Sequence, residues 1–380
     1  MPFKSIANSW LCEGRLLFLH EANHPLNNYL FQKQWKRGQP ILLSGINKKL
    51  DKNLWHPNAF CRDFGEMRND LVDCMTGAVI KNLPMKKFWE GFQNFSKRLK
   101  DDNGEYMVLK LQDWPPGEDF SEKLPSRFED LMQTLPLPEY TLDGVLNLSG
   151  RLPPWFVRPD LGPKMYIAYG SALFPTKGTT NLHLDVSDAV NVMIYVGIPS
   201  GKKAHLHIQG AIKTIGAGGC DSLMRERAEQ SDVAPDVLWH IYHARDADKI
   251  RDMLTKVAVE RKKIFEPYCD PIHDQSWYLD EELRERLRRE YDVQGYAIVQ
   301  CQGDAIFIPA GPPHQVLNLH SCVKVAEDFV SPENIARCIK LTQEFRHLTY
   351  THTNHEDKLQ IKNIIYHVAR DSLFSCSFPS

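Results

Sequence analysis

No CxxC pair and no tight cysteine cluster occurs in these 380 residues. Nine cysteines (Cys12, Cys61, Cys74, Cys220, Cys269, Cys301, Cys322, Cys338 and Cys376) are scattered at irregular spacing. An odd, dispersed set fits reduced thiols in the cytosol or nucleus, and it offers neither a disulfide framework nor a zinc finger. Excess charge of one sign is missing too. Lysine plus arginine (46) almost balances aspartate plus glutamate (48), which argues against broad phosphate contact, and so against direct nucleic-acid binding, as the main source of affinity. No apolar stretch reaches membrane-spanning length, and no signal-peptide core is found. Glycine-rich phosphate loops, GxSxG turns, internal repeats and low-complexity tracts are absent, and nothing places a nucleophile beside a base. The opening MPFKSIANSW reads as a cut into a longer protein.

A composition that is 42% hydrophobic and 10% aromatic can bury a sizeable core, and the length allows two or three domains. Residues 1–120 mix short helical and strand patterns and read as a supporting subdomain. Within them MKKFWEGFQNFSKRLK carries Phe88, Phe92, Phe95 and Leu99 at spacings of four and three, which predicts one helix face over a core. Between Trp114 and Pro159 the prolines predict an irregular wrapping connection broken by one helix, FEDLMQTL. From about residue 163 the texture changes to short period-two runs: KMYIAYG, NLHLDV, AVNVMIYVG, GYAIVQCQ, DAIFIPAG, HQVLNL and CVKVAEDF. The expected fold is therefore mainly β with added α, a double-stranded β-helix of the jelly-roll or cupin type. This catalytic unit is expected over 121–346, with a charged helical insertion near 199–290 and a C-terminal helical segment over 347–380. In the insertion, Ala247, Ile250, Leu254 and Val257 mark one helix, and Leu283, Leu287 and Tyr291 mark another behind an N-cap at Asp280.

The chemistry-bearing feature is His183-Leu184-Asp185 inside NLHLDV. Strand residues two apart face the same way, roughly 6.6 Å apart, so His183 and Asp185 should face inward while Leu182, Leu184 and Val186 face outward. A third ligand candidate, His314, follows the stiff turn PAGPP, 131 residues later. Two imidazoles and a carboxylate on one face of an octahedron leave three positions free, the arrangement of non-haem Fe(II) oxygenases that also bind a co-substrate and O2. Alone, His-X-Asp is equally a buried polar pair bonded to the sheet, and His314 a surface turn histidine.

A co-substrate such as 2-oxoglutarate needs a cation or hydroxyl donors for its far carboxylate. Lys324 shares a strand face with Cys322, Ala326 and Asp328. Thr180 offers a hydroxyl three residues before His183, and Asn191 lies opposite to Val190, Val192, Ile194 and Val196. Each has an ordinary alternative: a snorkelling lysine, a turn-capping threonine, an asparagine satisfying the backbone. Lys202 and Lys203 compete for the anion. His205 and His207 have strand spacing but no acid or third ligand beside them, and His352 and His355 sit in a polar loop; both pairs read as surface or structural.

With HLD and PPH in view, the chain resembles the Jumonji-C Fe(II)/2-oxoglutarate oxygenases, and within them the lysine-specific demethylase 3 subfamily. The strings that carry the resemblance cover most of the chain: QPILLSGINKKL, VLKLQDWPPGEDF, RFEDLMQTLPLPEY, FVRPDLGPKMY, GTTNLHLDVSDAVNVMIYVGIP, DPIHDQSWYLD, GDAIFIPAGPPHQV, VAEDFVSPEN and THTNHEDKLQIKNIIYH. The resemblance implies removal of methyl groups from mono- and dimethylated lysine 9 of the histone H3 tail, with Fe(II), 2-oxoglutarate and O2. It implies His183, Asp185 and His314 as iron ligands and Thr180 as a 2-oxoglutarate contact, a nuclear address, no membrane, and a homodimer as one arrangement open to the C-terminal helices. A Jumonji-C hydroxylase and a non-catalytic chromatin scaffold are the rival readings. For a basic tail, Glu118, Asp119 and Glu122, or Asp270 and Asp274, could make an acidic entrance. Two departures stand out: the segment GKKAHLHIQGAIKTIGAGGCDSLMRERAEQ diverges from the subfamily pattern, and the subfamily's cysteine-rich finger is absent from these residues.

Overall fold

The structure, a computed structural model, describes residues 8–111, 114–115, 120–198, 204–230, 235–262, 270–348 and 356–377. Fourteen strands are present among them: β1 (Asn8–Leu11), β2 (Leu16–Leu19), β3 (Ile41–Leu43), β4 (Arg68–Asp73), β5 (Val79–Pro84), β6 (Leu109–Leu111), β7 (Lys164–Ala168), β8 (Thr180–His183), β9 (Asp188–Gly197), β10 (Pro235–Ile241), β11 (Tyr296–Cys301), β12 (Ala305–Ile308), β13 (His314–Asn318) and β14 (Ser321–Phe329). They form two sheets. The larger runs β1-β2-β3-β12-β9-β14-β7-β6-β4-β5 and the smaller β11-β10-β13-β8. Only β2 and β3 pair in parallel.

The two sheets face each other across an apolar layer. Met193, Ile306 and Cys322 of the large sheet meet Val237, Trp239, Ile298 and Val316 of the small one. That is the jelly-roll arrangement expected from the period-two runs. The outer face of the large sheet packs on the N-terminal elements: Val190, Val192, Phe307 and Phe329 join Phe31, Trp35 and Tyr140 in one cluster. Phe31 stacks on Trp35 at 4.9 Å and meets Phe307 edge-on at 4.9 Å, so the helix Asn27–Trp35 is welded to the barrel through aromatic rings. Strands β1 to β6 continue the same large sheet rather than forming one of their own.

Five local expectations need correction. The connection from Trp114 to Pro159 holds three helices among its described residues and not one: Phe120–Lys123, Pro125–Thr134 and Pro138–Thr141. The run from Met85 to Lys100 is not one helix: the helix Met85–Glu90 stops at Gly91, where a side chain would collide with the Tyr169 hydroxyl, and a single turn, Phe95–Lys97, follows behind the Asn94 cap. The span 199–290 is not only helical, because it also supplies β10, paired with both β11 and β13. PDVLWHI is buried almost throughout, so alternation could not reveal it. His205 and His207 lie on the helix Ala204–Ala217 and not on a strand. Finally, Val196 does not share a face with Val190, Val192 and Ile194: a bulge beside Tyr195↔Val323 and Met193↔Lys324 inserts one residue into β9 and turns Val196 into the inter-sheet layer. The helices marked by Leu254 and Leu287, Ala247–Glu260 and Glu281–Tyr291, are present, the second with Asp280 accepting from the Leu283 N–H at 3.0 Å.

One buried acid ties three segments together. Asp188, fully buried at the start of β9, accepts from the Ala310 and Ser331 N–H groups at 2.8 and 2.9 Å and from the Asn334 amide at 2.8 Å. It thereby holds the turn before His314 and the start of the helix Ile335–Phe345. Replacing it leaves three buried donors unpaired. Asp188→Ala should lose about 3–5 kcal/mol of stability, read as a lowered urea midpoint at unchanged m-value.

Candidate metal centre

Three side chains converge at one end of the small sheet. His314 opens β13 directly across from His183, the last residue of β8. Their rings lie 4.2 Å apart, centroid to centroid, tilted by 58°. Asp185 lies just beyond the end of β8 rather than within it, so the two-apart strand geometry gives way to a turn; its carbonyl accepts from the Gly311 N–H at 3.0 Å, which fastens this turn to PAGPP. Leu182 and Leu184 still point the other way, into the cluster under the C-terminal helices. One ligand atom from each of His183, Asp185 and His314 falls within 4.8 Å of the others, and the His314 Nε2 to Asp185 Oδ2 distance is 3.5 Å.

The donor set fits a divalent transition ion. The Nδ1 atoms of His183 and His314 lie 2.8 and 3.0 Å from the carbonyls of Asn181 and Pro312. A carbonyl can only accept, so each Nδ1 carries the hydrogen and each Nε2 keeps a lone pair for the ion. Burial, with His183 alongside, lowers the His314 pKa against the pull of Asp185, which keeps that lone pair available. Asp185 is the solvent-facing member at 40% side-chain exposure against 4% for His314, so the centre opens on its side.

A bulge brings Thr180 into the same site. Counting by twos sets Thr180 and His183 on opposite faces, but β8 carries one extra residue between the pairs His314↔His183 and Val316↔Thr180. Both residues therefore share the face of His314 and Val316, toward the lumen. Further in, Lys324 is buried and donates to Asn318 Oδ1 at 3.2 Å, with its ammonium 5.6 Å from the centre of the Trp239 ring. The same ring lies 6.0 Å from His314, so one indole spans from the candidate metal ligand to the ammonium. Asn191 shares the inner side of β9 with Met193, and its buried Oδ1 has no partner. Trp239 and Asn318 were not anticipated. Asn318 was within reach, since it stands four residues past His314 on one strand face; Trp239 sat in the strand that alternation could not show.

Elsewhere the structure separates what the sequence left open. Lys202, Lys203, Glu118, Asp119, His352 and His355 lie outside the described residues. Asp270, His273 and Glu344 form a second group with ligand-like spacing, but Arg251 fills it, reaching Asp270 at 2.7 Å and also pairing with Glu344. A guanidinium occupies the place a cation would take, so Asp270 is spoken for as an entrance acid. Glu122 faces solvent on the helix Phe120–Lys123.

Comparison with known proteins places the chain among JmjC relatives. A family model described as "JmjC domain, hydroxylase" matches residues 214–329, a stretch that includes His314 and begins after His183 and Asp185. The chain is 60% identical over 367 residues to "Lysine-specific demethylase 3" of Drosophila melanogaster, covering 96% of this chain and 43% of that protein. It is 56% identical over 367 residues to "Lysine-specific demethylase 3A" of Homo sapiens, covering 96% and 28%. Against "Probable JmjC domain-containing histone demethylation protein 2C" of Homo sapiens it is 46% identical over 372 residues, covering 97% and 14%. The chain thus spans less than half the length of these curated relatives. If the three side chains form one centre, calorimetric titration with Mn(II) should give one site per chain, and His183→Ala, Asp185→Ala or His314→Ala should each weaken it by on the order of 100-fold or more.

Proposed function

Because the chain belongs to the lysine-specific demethylase 3 subfamily of the JmjC family, we propose that it oxidatively removes methyl groups from mono- and dimethylated lysine 9 of the histone H3 tail. The reaction consumes 2-oxoglutarate and O2 at a ferrous ion and releases formaldehyde, succinate and CO2. The observation that carries this reading is a pair of imidazoles and a carboxylate converging at the open end of a barrel whose interior holds a buried ammonium. A catalytic module with no metal role would have no reason to aim two Nε2 lone pairs at one carboxylate while burying a lysine beyond them.

Bound there, Fe(II) with 2-oxoglutarate and O2 supplies the oxidising power that turns an N-methyl group into an N-hydroxymethyl group, which breaks down to formaldehyde and lysine. The protein's part is positional. His183, Asp185 and His314 would hold the ion. Lys324, backed by Asn318 and the Trp239 face, would take the distal carboxylate of 2-oxoglutarate in a charge-assisted hydrogen bond, with the Thr180 hydroxyl and the Asn191 amide on the lumen walls between. The apolar inter-sheet layer around them excludes water.

A basic tail needs an anionic, aromatic surface. A cavity of about 1080 Å³ combines Asp143, Asp160, Glu327 and Asp328 with Trp114 and Tyr166, and Arg158 pairs with Asp143 at its wall at 2.9 Å. Lys164 pairs with Asp328 there at 3.4 Å, and both feel the charge of Asp185, so the cavity flanks the candidate metal centre. Burial raises the Glu327 carboxyl to about 9, with Asp328 adding to the shift. An arriving ammonium or guanidinium would favour the ionised form. A chromatin substrate also sets the work in the nucleus.

The test is a panel of methylated H3 peptides incubated with Fe(II), 2-oxoglutarate and ascorbate and read by mass spectrometry and formaldehyde release. Mono- and dimethyl-lysine 9 peptides should lose about one CH2 per turnover, and His183→Ala should abolish the loss. Gain of one oxygen would instead make the protein a hydroxylase. No turnover by a chain shown to bind metal would leave a scaffold.

A further inference from the structure

A buried acid, Asp236, lies near Lys324. Asp236, fully buried, sits at the bulge that opens β10, beside the β13–β14 turn. Its Oδ1 accepts from the His320 N–H at 3.0 Å, and Oδ2 has no hydrogen-bond partner. The Cys322 thiol lies beside the carboxylate and lowers its pKa, while Asp236 raises that of the thiol. Cys322 in turn receives the Asn318 amide at 3.1 Å, and Asn318 Oδ1 receives the Lys324 ammonium at 3.2 Å. Buried hydrogen bonds therefore run from Cys322 through Asn318 to Lys324, with the Asp236 carboxylate beside the Cys322 end.

We propose that Asp236 is the positioning residue and counter-charge for Lys324, and that binding of the 2-oxoglutarate distal carboxylate at Lys324 is coupled to uptake of one proton by Asp236. The inference rests on the reading of Lys324 as the anion anchor. A buried ammonium with one neutral acceptor and one aromatic face is under-compensated, and Asp236 is the acid whose charge it feels. Cys322 stays a neutral thiol beside the carboxylate, because burial and the adjacent Asp236 push its pKa far up. When a second carboxylate reaches Lys324, two anions share one cation in a dry lumen. The repulsion is relieved if Asp236 takes a proton from the buffer.

The sign follows from linkage. Burial already raises the Asp236 carboxyl to about 7, partly opposed by Cys322, Lys324 and the His320 N–H, and the incoming anion raises it further. Above that value the free protein must take up a proton to bind, so affinity falls as pH rises, by up to about tenfold per pH unit. The titratable groups facing Asp236 are Cys322 and Lys324 on β14, His320 in the turn and Cys301 on β11. Burial raises both thiols and lowers the His320 pKa, so neither the thiols nor that imidazole gain a proton in the same window with the same sign.

Calorimetry decides it. The Mn(II)-saturated chain is titrated with 2-oxoglutarate at pH 7.5 in phosphate and in Tris, whose ionisation heats differ, and the Kd is followed from pH 6.5 to 8.5. Wild type should take up more than about half a proton and lose affinity with rising pH, whereas Asp236→Asn should take up none and show a flat profile. Should Asp236→Asn fail to fold, Cys322→Ala serves: loss of the thiol, which lowers the Asp236 pKa, should move the onset of the affinity loss to higher pH. Wild-type binding without proton uptake, or equal uptake in Asp236→Asn, would overturn the coupling. Lys324→Met separates the two ideas, because undiminished 2-oxoglutarate binding in that variant sinks the anchor itself, while lost binding with no proton uptake in wild type sinks only Asp236.

Discussion

The antiparallel pairing of β8 with β13 is the constraint on which the rest depends. It sets His183 opposite His314 across a separation of 131 residues, and its one-residue bulge turns Thr180 to the same face. Without that register the two imidazoles would be unrelated groups on distant strands. The neighbouring elements reinforce it: β10 backs β13 along its whole length, and the Gly311 N–H to Asp185 carbonyl bond closes the turn that carries the acid. Asp188 then holds that turn against the C-terminal helix. A metal centre tolerates little positional error, and this one is braced from strand, turn and helix at once.

The same lumen shows how a protein keeps charge in an apolar place. His314, Lys324 and Asp236 are each at least 95% buried, and each has a specific neighbour that offsets part of the cost. His314 is kept neutral and donates to a carbonyl, Lys324 has an amide oxygen and an indole face, and Asp236 has a thiol and a backbone N–H. None is compensated to the degree of Asp188, which accepts three strong donors, or of Arg251, which is clasped by Asp270 and Glu344. Asp188 and Arg251, whose task is structural, have their charges met by several partners each. Those lining the lumen retain unspent capacity, which is what a site for an ion and a dicarboxylate requires.

Much of this was legible in the amino-acid order. The alternating runs around Leu182, Val192, Phe307 and Val325 identified strands of a jelly roll, and the spacing of Leu283 and Leu287 behind Asp280 identified a capped helix. Lys324 and Asn191 were read as inward from parity alone. Failures came where parity is uninformative or interrupted. β10 is buried on both faces and so has no alternation, Val196 follows a bulge, and the helix after Met85 ends at Gly91, whose missing side chain leaves room for the Tyr169 hydroxyl. His205 and His207 kept strand spacing in a segment whose apolar content suits a helix just as well.

By itself, then, the order of residues determined which side chains could serve: two histidines and an aspartate of metal-binding type, a lysine on an inward strand position, and the family to which the chain belongs. Tertiary structure alone decided that they meet. Alternation is a local property with a period of two, whereas register between β8 and β13, and the single extra residue that reverses a face, are set by long-range pairing that no local pattern encodes. Folding likewise decided that Arg251 closes one carboxylate–histidine cluster and leaves the other free for an ion.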